Sequence, residues 1–196
     1  MIDQNTSLSL DDAELVKLTL EDQENFLYLV NRYKDKLLSY IRRLTNSGVE
    51  EAEDILQEVF IKVYLNLNDF NSDLKFSSWI YRITHNQVIS QHRKIKARPE
   101  GYAVDLDDQA VRNLAADINI VADADLAILK EQIKKVLKNL SAKHKEILIL
   151  KFLEDKSYQE ISDILKKPAG TIASTLSKAK EEFKKELVKQ KFTLNI

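Results

Sequence analysis

The chain of 196 residues has no cysteine. That excludes a disulfide framework, a CxxC zinc site and a thiol nucleophile, and it fits a reducing compartment. Glycine occurs 3 times and proline 2 times, too rarely for a sheet fold, whose tight turns draw on both. No apolar run approaches the roughly 20 residues of a membrane-spanning helix. The opening MIDQNTSLSLDDAELVKL has neither a basic n-region nor a long apolar stretch, so it does not read as a signal peptide. A Gly-rich phosphate loop and a nucleophile motif are missing too, leaving an enzyme reading without support. The expectation is an all-α protein, soluble and cytoplasmic, with no membrane insertion, no cofactor and no catalytic residues.

Net charge is also nearly absent, at -1, but the balance is segmented. Residues 1–24 carry -6, residues 25–98 carry +4, residues 99–129 carry -6 and residues 130–196 carry +7. Affinity for a polyanion follows local clusters more than the total. Two basic segments separated by an acidic one are compatible with nucleic-acid binding; they also fit ordinary solvated lysine-rich helix faces. The acidic segments could screen the basic ones when the chain is free.

What is present is helical periodicity. In ENFLYLVNRYKDKLLSYIRRLT, Phe26, Leu29, Val30, Tyr33, Leu37, Tyr40, Ile41 and Leu44 recur at helical spacing. EEAEDILQEVFIKVYLNL gives a second helix with Ile55, Leu56, Val59, Phe60, Val63, Tyr64 and Leu67 on a wide apolar face. Asp54, Gln57, Glu58 and Ile61 stand at i, i+3, i+4 and i+7 along its edge, a single mixed stripe. After the loop NDFNSD, FSSWIYRITHNQVISQHRK forms a third helix. Its Phe76, Trp79, Ile80, Ile83 and Val88 point inward; Arg82, Asn86, Arg93 and Lys94 point out. Helical spacing makes Phe76 and Trp79 core residues before base-stacking ones, whereas Phe70, in a polar loop, fits either role.

The acidic PEGYAVDLDDQAVRNLAADINIVADAD reads as a linker with at most a short helix. Beyond it come a helix marked by Leu126 to Leu140 and a more buried one in KHKEILILKFL. Ser157 and Glu160 form an S-x-x-E capping box that starts the next helix at Tyr158, with Tyr158, Ile161, Ile164 and Leu165 expected inward. Lys166 to Gly170 make the turn. The final helix puts Ile172, Leu176, Ala179 and Phe183 on one face and Thr171, Ser174, Thr175 and Lys178 on the other. A helix of that kind fits a major groove.

No metal centre is expected. EEAED reads as the acidic first turn of a helix, and His85 and His92 lack a third ligand.

Two ordered motifs then carry a resemblance. AEDILQEVFIKVY with FSSWIYRITHNQVISQHRK resembles region two of bacterial sigma factors, and LSAKHKEILILKFLEDKSYQEISDILKKPAGTIASTLSKAKEEF resembles region four. With only the acidic segment between them, the chain looks like the extracytoplasmic-function (ECF) group of the sigma-70 family. The implied organisation is an acidic tail (1–23), a region-two helical domain (24–96), an acidic linker (97–125), a region-four helix-turn-helix domain (126–188) and a C-terminal tail (189–196).

The resemblance implies an RNA polymerase subunit that selects promoters, with core polymerase, promoter DNA and an anti-sigma factor as partners. It implies core-polymerase binding through Asp54, Gln57, Glu58 and Ile61. Minus-ten recognition falls to Phe70, Asn71, Lys75, Trp79, Arg82, Asn86 and Arg93, and minus-thirty-five recognition to Thr171, Ser174, Thr175 and Lys178. The alternative is a sigma-like interaction module that binds polymerase or an anti-sigma factor without reading promoters. The chain departs from the family pattern in its last helix: GTIASTL puts Ala173 and Thr175 where Lys and Arg are usual. Ser162 also stands where Ala is common, and Lys166 where Gly often supplies a positive φ.

Overall fold

The computed structural model describes residues 9–45, 47–94, 106–118 and 126–193, with side chains undescribed at 92–94 and 191–193. The regular elements of the described residues are all helical and fall in two compact units, one drawn from the first half of the chain and one from the second, with Asp163–Leu165 grouped with the first.

The first unit contains α1 (Asp12–Glu21), a 3₁₀ turn (Gln23–Asn25), α2 (Phe26–Thr45), α3 (Val49–Leu65), a second 3₁₀ turn (Leu67–Asp69) and α4 (Phe76–Lys94). Leu29, Leu37, Tyr40 and Ile41 of α2, Ile55, Val59 and Val63 of α3, and Ile80 and Tyr81 of α4 are buried together. The rings of Tyr40 and Tyr81 meet at 5.0 Å.

Helix α1 lies within the segment expected as an acidic tail, and it is folded. Asp11 and Glu14 close a capping box, each carboxylate taking the other residue's backbone N–H at 2.8 Å. Leu15, Val16 and Thr19 are buried. Arg32 donates to Asp12 at 2.8 Å and the Tyr33 hydroxyl donates to the same carboxylate. Burial, and then that bond, raise the Tyr33 pKa. Net acidity had masked a D-x-x-E cap followed by an apolar pair and a threonine one turn on.

The second unit contains α5 (Asp108–Asp117), α6 (Leu126–Asn139), α7 (Ala142–Leu148) running into a π turn (Ile149–Leu153), α8 (Tyr158–Leu165) and α9 (Ala169–Thr193). Ile133, Val136, Ile147, Leu150, Ile161, Ile172, Leu176 and Phe183 are buried. Lys145, on α7, is buried as well, which pushes its ammonium down to about 8.

Helix α5 sits in the middle of the expected linker. The Asp107 carboxylate caps it through the N–H groups of Gln109 and Ala110. Its Ala110, Val111, Leu114 and Ala115, with flanking Leu106 and Ile118, are buried against α6 and the π turn. Asp108 pairs with Lys130, and Asp117 with Lys180 at 2.7 Å. The rest of residues 97–125 falls largely outside the described residues.

Candidate nucleic-acid and polymerase surfaces

Helix α3 buries Ala52, Ile55, Val59 and Val63, and this fixes what the opposite side shows. Asp54, Gln57, Glu58 and Ile61 are all exposed in one stripe. Leu65 continues it at 70 % exposure, the most exposed large apolar side chain among the described residues. The periodicity of the stripe reaches Leu65, four residues beyond Ile61, although the stripe expected from the sequence ends at Ile61. Beside the end of the stripe, Thr19, Leu20, Gln23, Tyr64, Leu65, Leu67 and Asn68 line an open cleft of about 220 Å³. Acid groups followed by apolar ones suit a protein partner that presents both basic and apolar side chains.

The loop between α3 and α4 is held by aromatic packing. Phe70 meets Phe76 edge-on at 5.4 Å and Trp79 at 5.4 Å. Phe76 packs in turn on Tyr33. Asn71 shapes the next turn: its side-chain oxygen accepts from the Asp73 N–H at 2.9 Å, and its carbonyl from the Leu74 N–H.

Trp79, grouped with the minus-ten residues on the resemblance, is 7 % exposed and therefore supports the loop from within the core. Its i+3 relation to Phe76 puts both on the buried side. Phe70 is half-buried, Asn71, Lys75 and Asn86 are exposed and Arg82 is half-buried. The Arg93 side chain lies outside the described residues.

Helix α4 is embedded further than its apolar spacing indicates. Tyr81, Thr84 and Gln87 are buried beside Ile80 and Val88. Thr84 donates back to the Ile80 carbonyl at 2.9 Å, and Gln87 accepts from the Lys62 ammonium at 2.6 Å. Buried polar residues satisfied by a backbone carbonyl or by a lysine of another helix leave no periodic signal. Among its described side chains, Asn86, Ile89 and Ser90 are exposed and Arg82 is half-buried.

In the second unit, the Ser157–Glu160 capping box is formed at both bonds, 3.2 and 2.9 Å. Tyr158, expected inward, is 42 % exposed, because the first residue of α8 stands about a quarter turn from the line through Ile161 and Ile164. The Lys151 ammonium lies 5.7 Å over its ring.

Lys166 ends α8 in the left-handed conformation, φ 51°. The turn thus keeps its usual backbone without glycine, and Ser162 stabilises it by donating from its hydroxyl to the Lys167 carbonyl at 2.6 Å. The Pro168 carbonyl then accepts the N–H groups of Thr171 and Ile172 in the first turn of α9.

On α9, Thr171, Ser174 and Lys178 are exposed, as expected. Thr175 is not: at 6 % exposure it belongs to the buried face. It stands three residues after Ile172 and four before Ala179, so the helical period carries it inward. Lys180 stands about 160° around α9 from Lys178, so docked α5 leaves the face with Thr171, Ser174 and Lys178 uncovered. Among the described residues, no cluster of three or more His, Cys, Asp or Glu side chains could hold a metal.

Two helical units, one with an exposed acidic-apolar stripe and an aromatic-anchored loop, the other a helix-turn-helix, match known proteins in that order. The profile for Sigma-70 region 2 matches residues 29–98, and that for Sigma-70, region 4, residues 130–183. The chain is 36 % identical over 174 residues to the ECF RNA polymerase sigma factor SigW of Bacillus subtilis, covering 85 % of this chain and 90 % of that protein. The chain belongs to the ECF group of the sigma-70 family.

The ECF RNA polymerase sigma-E factor of Escherichia coli is 30 % identical, covering 89 % of this chain and 93 % of that protein. Two solved structures share the fold. One is the sigma factor RpoE in complex with the anti-sigma factor NepR from Bartonella quintana (TM-score 0.63, 23 % identity, 84 % of this chain and 97 % of that one). The other is CnrH in complex with the cytosolic domain of CnrY (TM-score 0.65, 20 % identity, 90 % and 96 %). As an ECF sigma factor, the chain directs RNA polymerase to promoters and starts transcription. No helix of the described residues is long and apolar enough to cross a membrane.

Proposed function

We propose a division of labour within this sigma factor: the first unit docks on core polymerase and makes the main promoter choice, and the second unit is the weaker reader. Docking uses Asp54, Gln57, Glu58 and Ile61, extended by Leu65. Minus-ten recognition uses Asn71, Lys75, Arg82 and Asn86, with Phe70 and Trp79 holding the loop in shape; Arg93 joins them on the family resemblance alone. Minus-thirty-five recognition is left to Thr171, Ser174 and Lys178. The observation that carries this reading is the outward face of α9 from Thr171 to Lys178, which bears a single cation, Lys178, because Thr175 is buried and Ala173 replaces a basic residue.

The sigma factor works in the cytoplasm with polymerase and has no catalysis of its own. An anti-sigma factor is a further partner, as RpoE has in its complex with NepR. The test is run-off transcription with core polymerase on promoters selected by the reconstituted holoenzyme. A variant carrying Thr171→Ala, Ser174→Ala and Lys178→Ala should keep most of its transcript; complete loss would transfer the main reading to the second unit. The second reading, an interaction module that does not read promoters, draws on the same scarcity of cations on the Thr171–Lys178 face of α9. It requires that no promoter yields a transcript.

A further inference from the structure

Helix α9 runs for 25 residues to Thr193, whereas the region 4 match ends at residue 183. The extension has the sequence KKELVKQKFT. We propose that it is a second DNA-contacting element, in which Lys185 holds a backbone phosphate at the rim of the groove that the start of α9 enters.

Three observations converge on this. The first is direction: Lys185 lies seven residues, about two turns, beyond Lys178, so it repeats the outward orientation of Lys178 and Ser174, and all three are exposed. The second is length. From Ser174 to Lys185 the axis advances about 16 Å at ~1.5 Å per residue, more than the ~12 Å width of the major groove. With Ser174 over base edges, Lys185 has reached the sugar-phosphate wall.

The third is charge. Lys180 is engaged by Asp117 and Lys189 by Glu186, and Glu182 by His144. Lys185 has no ion pair among the described residues. Glu181 is the adverse charge on this face, and the cations of Lys178 and Lys185 on either side outweigh it. Phosphate contacts fix position without reading sequence. The extension therefore supplies affinity that the cation-poor reading turns lack.

This inference rests on the reading of α9 as the helix that enters the promoter duplex, and the experiment separates the two. The chain has no cysteine, so Lys185→Cys, Ser174→Cys and Lys180→Cys can each be labelled at a unique site with an iron chelate before holoenzyme is assembled on a promoter fragment. Backbone cleavage is expected from Ser174→Cys and Lys185→Cys and not from Lys180→Cys, which faces α5. Cleavage from Ser174→Cys alone overturns the proposal and leaves the groove reading standing. Cleavage from none of the three overturns both. In a salt titration of the full chain on duplex DNA, Lys185→Ala should lower the slope of log K against log salt by about 0.9 for the phosphate that is no longer neutralised, equally on promoter and scrambled sequence. An unchanged slope contradicts the proposal.

Discussion

The two helices assigned to DNA differ in how they are held. Helix α4 is sunk in the first unit, with Phe76, Trp79, Ile80, Tyr81, Thr84, Gln87 and Val88 all buried. Helix α9 buries one face and shows solvent the rest of its length. A deeply embedded helix presents few outward side chains, but in fixed places, so each can discriminate with little ordering cost on binding. A long, singly packed helix offers area and charge at lower precision. Reading concentrated in the first unit and electrostatic anchoring in the second are the physical consequence.

The largest effect that sharpens this contrast concerns the polymerase contact in the first unit. Asp54→Arg with Glu58→Arg should reduce co-purification with core polymerase at least a hundredfold, with helicity by circular dichroism unchanged. Charge reversal inside an interface costs several kcal/mol. If the variant is retained by core as well as wild type, the α3 stripe is not the docking surface.

Next in size are the two docked acidic helices. Leu15 of α1 is 0 % exposed and Leu114 of α5 1 %, and Leu→Ala at such sites costs about 2–5 kcal/mol. Leu15→Ala should lower the melting transition of the first unit and Leu114→Ala that of the second. A Leu114→Ala protein that melts like wild type would return α5 to the status of a linker. Asp117→Ala, at a partly exposed pair, should cost no more than ~1 kcal/mol.

These helices mark where the sequence was hard to read. The apolar faces of α2, α3 and the start of α9 follow the helical period, and the capping box at Ser157 was visible as a motif. Helices α1 and α5 are short and acidic, and Leu114 with two alanines and a valine makes a face too small to stand out from loop composition. The burial of Thr84 and Gln87 depends on bonds to Ile80 and Lys62 that no local pattern encodes. Thr175 is the reverse case: its position was periodic, but its hydroxyl and the resemblance both pointed it outward.

Transcription itself tests the contrast on a smaller scale. Arg82→Ala or Asn86→Ala should lower promoter-specific run-off about tenfold to a hundredfold, since one good base contact discriminates by about 1–3 kcal/mol. Lys178→Ala should lower it less. The opposite ranking would make α9 the principal reader. Adding charge to α9 should then act mainly through phosphates: Ala173→Lys, at an exposed site, should steepen the salt dependence of duplex binding by about 0.9 in slope if it reaches a phosphate. Thr175→Arg should instead destabilise the second unit, because the residue is buried.

The smallest effect concerns the turn that aims α9. Lys166 holds φ 51° and ψ 50°, a left-handed conformation that costs a residue with a Cβ roughly 1–2 kcal/mol relative to its right-handed alternatives. Glycine adopts it without that steric cost but loses more backbone freedom on folding. Lys166→Gly should therefore stabilise the second unit by at most about 1 kcal/mol, seen as a small rise in its denaturation midpoint, with DNA affinity lowered only by the loss of one exposed charge. Lys166→Val, β-branched and poorly suited to positive φ, should move the midpoint the other way. If glycine lowers the midpoint and valine does not, the turn in solution differs from the one Ser162 closes here, and the aim of α9 must be set by its packed face alone.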